Sequence, residues 1–158
     1  PHTQMADGAP NGYTLLHVDG NRYTTDIRAA RRRADHLMST HLADDLTLTV
    51  NVFNGAEGDT VRMRLLADSG TPDAGTGAWT TMEHTIKIDP HVSTVFDREQ
   101  AIPAEIRGYR TVARPKDSHH VWTAELSAGL SSGTHVVEIE QLDLYGTPHR
   151  EHITFRID

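Results

Sequence analysis

Eleven histidines are the residues of this 158-residue sequence that most readily suggest metal binding or acid–base chemistry. Their spacing argues against a shared ion. His149 and His152 lie three apart in a predicted strand, so their side chains point to opposite faces. The neighbours His119 and His120 diverge for the same reason, and Asp89-Pro90-His91 stands alone, outside any longer ligand array. The spacing therefore predicts no histidine metal site.

Motifs for other kinds of catalysis give no stronger signal. Without cysteine there is no thiol nucleophile, disulfide or cysteine–zinc site. The serine motif SxxK and the phosphate-binding motifs GxxxxGKS/T and GxGxxG are absent. Asp19-Gly20-Asn21 resembles part of a calcium loop but lacks the downstream acidic ligands. We predict no catalytic residue, no metal ligand and no cofactor on this chain.

Composition excludes two classes of partner. The formal charge is −7, and phosphate binding depends on cations, so nucleic acid is not an expected partner. The run Arg31-Arg32-Arg33 is best explained as a solvated turn between strands. No stretch approaches the ~18 consecutive apolar residues that a membrane-spanning helix needs. The length and 37% hydrophobic content suit one lean globular domain.

Most of the chain alternates with a period of two, which is typical of half-buried strands. Tyr13–Val18 and Arg22–Arg28, joined by Asp19-Gly20-Asn21, predict a hairpin because Gly and Asn accept the positive φ of tight turns. The clearest strand is Leu46–Phe53, with Leu46, Leu48, Val50 and Val52 on its apolar face and its threonines and asparagine opposite. Further strands are predicted at 61–66, 79–88, 120–126, 134–142 and 149–157, and a long surface loop between Ser69 and Ala78.

One segment has a helical pattern. Asp89 can cap a helix with Pro90 in its first position, and Val92, Val95 and Phe96 share one face. About eight short strands with one short helix and no βαβ rhythm favour a mainly β fold. We expect an immunoglobulin-like antiparallel β-sandwich, with a barrel as the alternative that periodicity does not separate from it.

Five stretches of the sequence, in order, resemble the C-terminal domain of certain bacterial calcineurin-like metallophosphoesterases. They are DGAPNGY at 7–13, VDGNRYTTDIRAA at 18–30, VNVFNG at 50–55, SHHVWTAEL at 118–126 and GTHVVEIEQLDLYG at 133–146. The resemblance implies an accessory domain at residues 12–158. Residues 1–11 would be the end of the linker that connects it to the preceding domain. It also implies an exported parent, periplasmic or associated with the cell envelope.

In the family that the chain resembles, catalysis belongs to a preceding domain with two divalent metal ions that activate a water for attack on phosphorus. Of its ligand motifs only D-x-H is formally matched here, for example at Asp89-Pro90-His91. Gly20-Asn21 is followed by Arg22 instead of histidine. The resemblance therefore implies that the expected partner, the catalytic phosphoesterase domain, carries the metal ions.

Asp7, Asn11 and Tyr13 lie beside the incoming connection and are our candidates for contact with the catalytic domain. His120 and Trp122, from a later resembling stretch, complete the candidate set, although a buried tryptophan is also the usual anchor of a sandwich core. Two alternatives stay open. Trp79 and Trp122 would serve a carbohydrate or envelope-polymer binding module if they were exposed, and the histidines would serve a small metal-dependent enzyme.

Overall fold

The computed structural model describes residues 5–66, 77–109, 111–127 and 129–158. Most of the predicted loop between Ser69 and Ala78 lies outside the described residues. The elements of the described chain, in order, are β1 (Gly12–Asp19), β2 (Arg22–Ala29), β3 (Met38–Leu42), β4 (Thr47–Val52), β5 (Thr60–Leu66), β6 (Thr80–Thr81), β7 (Glu83–Ile88), α1 (Pro90–Gln100), β8 (Asp117–Glu125), β9 (Gly133–Leu142) and β10 (Pro148–Ile157).

Strands β3 to β10 form two separate four-stranded antiparallel sheets, ordered β3-β4-β8-β7 and β10-β9-β5-β6. If these eight strands are lettered A, B, C, C′, D, E, F and G in chain order, the sheets read A-B-E-D and G-F-C-C′. This is the strand order of immunoglobulin-like sandwiches that carry a C′ strand. The predicted mainly β fold, with antiparallel sheets and one short helix, is confirmed.

The core lies between the two sheets, because each contributes one apolar face to a single buried cluster. Leu48, Val50 and Val52 of β4 meet Val137 and Ile139 of β9 in this cluster. The alternation predicted for these two strands is therefore confirmed. It is also the reason that the sheets stack face to face, since each strand has only one continuous apolar side.

The helix begins and caps as its sequence predicts. The side chain of Asp89 accepts a hydrogen bond of 2.7 Å from the backbone N–H of His91, and Pro90 occupies the first turn. Val92 is buried on the inner side of the helix. The helix ends at Gln100, with Ala101 as its C-cap.

The outer face of β4 differs from the expectation. Thr49 and Asn51, predicted on the polar side of the strand, are 4% and 1% exposed. The amide of Asn51 donates to the backbone oxygen of Asp7 at 3.0 Å and to Oδ2 of Asp89 at 2.8 Å. The N-terminal segment and the start of α1 therefore cover this face. Strand alternation alone does not reveal such a cover, because it comes from distant parts of the chain.

The predicted hairpin is confirmed and stands apart from the sandwich as a separate two-stranded sheet. Asp19 pairs with Arg22, so Gly20 and Asn21 form a two-residue loop. Gly20 has a φ of +60°, whereas Asn21 is not among the residues with positive φ. Glycine in the left-handed region at the first loop position is the pattern of a type II′ turn, so only one of the two residues expected to adopt positive φ does so.

Candidate functional site

The β1–β2 hairpin contains the longest strand of the described chain in which every residue is exposed. Every residue of β1 is exposed, including Tyr13 at 61%. Large apolar side chains are thus left in water along a strand that reaches away from the core. A surface of this kind is typical of an interaction site rather than of a self-contained domain.

Residues 5–10, in the segment expected to end the linker, are anchored to the sandwich. The backbone N–H of Lys116 donates to the oxygen of Ala6 at 2.9 Å. Gly8 and Ala9 are buried, and Gly8 has a φ of +88°. A Cβ at Gly8 would overlap the side chains of Asp89 and Asn51, so only glycine fits this closely packed position.

Three of the five candidate contact residues lie along this entry. Asp7 is half-buried, and its Oδ1 accepts a hydrogen bond of 3.1 Å from the N–H of Ala9. Asn11 is exposed, and its backbone oxygen accepts from the N–H of Ala30 at 2.7 Å, which closes the root of the hairpin. Tyr13 follows as the first exposed aromatic residue. These residues form one continuous stretch leading from the anchored segment onto the hairpin.

The other two candidates lie elsewhere. Nδ1 of His120 is 2.7 Å from the carbonyl oxygen of Gly55, which places this half-buried side chain against the β4–β5 loop. Trp122 is 1% exposed and belongs to the core cluster. We therefore remove the side chain of Trp122 from the candidate contact surface, in favour of its alternative interpretation as the anchor of the sandwich.

A groove of about 480 Å³ separates the hairpin from one end of the sandwich. Its walls are β2, the segment leading to β3 and the turn between β9 and β10. Thr25 and Tyr145 share a hydrogen bond of 3.2 Å across it. The loops β4–β5 and β9–β10 meet at this end, where Gln141 donates to Oδ2 of Asp59 at 2.6 Å. In lettered form these are the B–C and F–G loops, which form the binding end of antibody variable domains.

The charged groups that line this groove already have protein partners. Asp26 pairs with Arg28. Oδ1 of Asp143 accepts from the N–H groups of Tyr145 and Thr147 at 2.9 and 2.8 Å, and its Oδ2 lies 3.3 Å from Nε2 of His149. Oxygens used in this way stabilise the turn and are not available together as ligands of one ion. No group of three or more His, Asp or Glu that could hold a metal ion occurs in the part of the chain that the structure describes.

A second polar arrangement, which the sequence analysis did not single out, covers the outer face of the β10-β9-β5-β6 sheet. The strand register sets up two cross-strand rows of charges. The rows are Arg62–Glu140–Arg150 and Arg64–Glu138–His152. Glu138 and Glu140 are 6% and 1% exposed, whereas the cations above them are more open. The sequence contains a signal for these rows, namely the patterns R-x-R at 62–64, E-x-E at 138–140 and R-x-H at 150–152. Each pattern lies on the polar face of its strand.

The central carboxylate of the first row is strongly held. Burial raises the pKa of Glu140, but hydrogen bonds and charges from Arg150 and Arg62 outweigh it, so that its pKa lies below the ordinary value. Arg62 Nε and Arg150 Nε each donate to Glu140 at 2.8 Å. The guanidinium groups of Arg62 and Arg64 also lie 4.6 and 4.3 Å from the ring centroid of Trp79, within cation–π range.

The sequence predicts no GxSxG nucleophile elbow, and the formal GxSxG pattern at Gly129–Gly133 has the wrong structural context for one. Such a serine sits on a sharp turn between a strand and a helix. Here Ser131 precedes β9 in a strand-to-strand connection, and its backbone oxygen lies 2.8 Å from Nε2 of His135. The pattern is therefore explained by turn chemistry.

These features define a mainly β domain of antiparallel sheets with an anchored entry and a projecting hairpin. Comparison with known families gives its particular affiliation. The family model described as the C terminal of calcineurin-like phosphoesterase matches residues 1–149, nearly the whole chain. The chain belongs to this family, and the resemblance seen in its sequence is confirmed. No curated protein and no solved structure matches it.

Membership of the family implies a metallophosphoesterase as the parent protein and a catalytic domain that precedes this one. Metallophosphoesterases use metal ions, whereas the described residues of this chain offer no metal-binding group. None of the helical residues described forms a segment long and apolar enough to cross a membrane.

Proposed function

We propose that this chain is a non-catalytic accessory domain that packs on the preceding phosphoesterase domain and shapes its substrate entrance. The observation that carries the proposal is the hairpin of a C-terminal phosphoesterase domain, which projects with its apolar side chains exposed. Such side chains become buried favourably when another protein surface covers them.

The absence of catalysis is supported by the roles that the reactive side chains already have. Asp89 caps a helix, Glu140 holds two arginines and His120 binds a loop carbonyl. The test is hydrolysis of a generic phosphodiester by the chain alone, supplied with Mn²⁺, Fe or Zn²⁺. We expect a rate no higher than that of the metal alone. Turnover at enzyme-like rates would overturn this part of the proposal.

The contact that we propose runs along Asp7, Asn11 and Tyr13, with His120 as a more distant candidate. In the parent protein, Tyr13→Ala removes an aromatic side chain from the middle of this stretch. We expect the coupling between the two domains to fall by about 1–2 kcal/mol, a typical effect for an aromatic contact residue, or phosphoesterase activity to change.

A matched control comes from Ile106, which is 73% exposed and lies outside the hairpin. Ile106→Ala should leave both properties unchanged. Differential unfolding of the two domains and steady-state hydrolysis measure the effect. If Tyr13→Ala behaves like Ile106→Ala in both assays, the proposed contact is wrong.

The second candidate function is binding of a carbohydrate or an envelope polymer. It depends on open aromatic rings, and the two tryptophans give it little support. Trp122 lies in the core, and two guanidinium groups lie over Trp79. Titration with soluble envelope glycans, followed by tryptophan fluorescence, tests this function. Saturable quenching that Trp79→Ala abolishes would favour it over the accessory role.

We further propose, from the family resemblance, that the parent is exported to the periplasm or cell envelope. Fractionation of cells that produce the full-length protein tests this location. Recovery in the cytosolic fraction alone would overturn it.

A further inference from the structure

We propose that one face of the hairpin, which we call the apolar tip, is the docking surface for the catalytic domain. The apolar tip consists of Leu16, Val18 and Tyr23. The register pairs Val18 with Tyr23 and Leu16 with Thr25, so these side chains lie on the same face. This inference rests on the proposed function and deepens it, because it names the surface and its partner.

The exposure of the apolar tip is the first argument. Its three side chains are 61%, 68% and 62% exposed, although each belongs to a regular strand. A two-stranded hairpin is marginally stable by itself in water and gains stability when one face is covered. The same three residues, with the turn at Gly20, line a shallow depression of about 310 Å³. The shape and the chemistry both suit an apolar side chain from a partner.

The position of the apolar tip along the hairpin is the second argument. Both faces of the hairpin contribute side chains to the groove beside the sandwich, and Thr25, on the same face as the tip, shares a hydrogen bond of 3.2 Å with Tyr145 there. The three residues of the tip do not line this groove. Contact with the sandwich therefore ends at Thr25 on this face, and the apolar tip remains exposed.

The position of the chain entry identifies the occupant. Residues 5–10 are anchored on the sandwich and lead within two residues into β1. An eight-residue strand spans about 26 Å at ~3.3 Å per residue, so the tip lies roughly this far from the anchored entry, by which the chain arrives from the preceding domain. That distance is within the dimension of a single domain. The catalytic domain implied by the family is connected through this entry and is therefore the occupant that we assign to the tip.

The experiment is site-specific photocrosslinking in the full-length parent protein. Benzoylphenylalanine replaces Val18, the most exposed residue of the tip, and the crosslinked peptides are identified by mass spectrometry. We expect a crosslink to the catalytic domain of the same chain. The same probe at Ile86, which is 58% exposed in another strand, is the control and should give no such crosslink.

A probe at Tyr13 separates this inference from the proposed function. If the probe at Tyr13 captures the catalytic domain and the probe at Val18 does not, the apolar tip is not the docking surface, and the accessory role stands. If neither position captures it, both proposals fall. A Val18 crosslink that joins two copies of the protein would overturn the inference in favour of a dimer contact.

A second measurement does not depend on the bulky probe. Leu16→Ser and Val18→Ser, combined in the full-length protein, should raise hydrogen exchange at least fivefold in the catalytic-domain peptides that cover the tip. Amides of β4 and β9 should keep their protection, which shows that the sandwich remains folded. Unchanged exchange in the catalytic domain would contradict the inference.

Discussion

The β1–β2 and β9–β10 hairpins are both long antiparallel ribbons, yet the molecule uses them in opposite ways. In the first, eight residue pairs stand apart from the sandwich, and every residue of β1 is exposed. In the second, ten pairs belong to a sheet that closes the core, and Val137 and Ile139 have no exposure. The two ribbons share a local pattern and differ in what covers them.

This difference shows that strand alternation determines which side chains share a face of the strand. It does not determine which surface packs against that face. In β9 the apolar face meets the other sheet, and the polar face carries carboxylates that arginines neutralise. In β1 the tyrosine, leucines and valine meet no second layer within the described chain. We infer that stability resides in the second ribbon and recognition in the first. The following predictions test that division, from the largest effect to the smallest.

Loss of the core anchor should have the largest effect. Trp122→Ala removes a fully buried indole between the sheets and should lower the free energy of unfolding by about 3–5 kcal/mol. Trp79→Ala, which removes the tryptophan on the outer face, is the matched control and should have a smaller effect. Denaturant unfolding measures both. Equal losses would show that the core is not centred on Trp122.

Breaking a charge row should cause the second-largest loss of stability. Glu140→Gln leaves Arg62 and Arg150 facing a neutral amide, and we expect a loss of about 1–3 kcal/mol, reduced by the exposure of the arginines. Glu125→Gln, at an exposed position of β8, is the control and should change stability little. A Glu140→Gln protein as stable as this control would mean that the rows contribute specificity instead of stability.

The same row predicts a pH dependence. Because the pKa of Glu140 is lower in the folded state, the unfolded state binds more protons between the folded and unfolded pKa values. The stabilisation is therefore fully present above the ordinary glutamate pKa and is lost as the pH falls through the folded value. Unfolding measured from neutral to acidic pH should show a shallower acid loss for Glu140→Gln than for the wild type. Parallel curves would contradict the assignment.

A change in the β1–β2 turn should have a local effect. Gly20→Ala places a Cβ at a φ of +60° and should destabilise the hairpin by about 1–2 kcal/mol without loosening the sandwich. Gly108→Ala, which meets open space at a position without positive φ, is the control. Hydrogen exchange of β1 and β2 amides measures the effect. Loss of protection in β9 as well would show that the two ribbons are coupled.

The apolar tip should contribute least to the stability of this domain. Val18→Ser changes a side chain that is 68% exposed, and we expect less than about 0.5 kcal/mol in the unfolding of this chain. The same substitution in β9, Val137→Ser, should destabilise it severely, because Val137 has no exposure. Similar losses at the two positions would remove the distinction between the ribbons.

Much of the fold could be predicted because local rules and tertiary structure agree. Asp89 caps the helix, Asp19-Gly20-Asn21 turns the hairpin and Val137 faces inward, each as its neighbours in sequence indicate. Residue patterns also carried the family resemblance. These features depend on periods of two and 3.6 and on turn chemistry, which are readable from one sequence.

The remainder depends on contacts between distant parts of the chain. Alternation predicts Asn51 on the outward polar face, but Asp7 and Asp89, 44 and 38 residues away, bury it. The sequence suggests Trp122 as a contact residue, but its side chain is buried in the core cluster between the two sheets. The rows through Glu138 and Glu140 require the register of β5, β9 and β10, which no local pattern gives. The position of the hairpin relative to the sandwich likewise follows from its anchoring.

The anchored entry at Gly8 has a consequence for the strength of docking. A connection held against Asn51 and Asp89 leaves only residues 9 to 18 between this anchor and the tip, and docking on a domain of the same chain is an intramolecular event. If the linker before the anchor is short and flexible, the effective concentration is of about millimolar order, and a contact with a dissociation constant of ~100 μM would be about nine-tenths formed. A small patch of three side chains would then suffice, and it would remain weak enough to open when a substrate must enter or a product must leave.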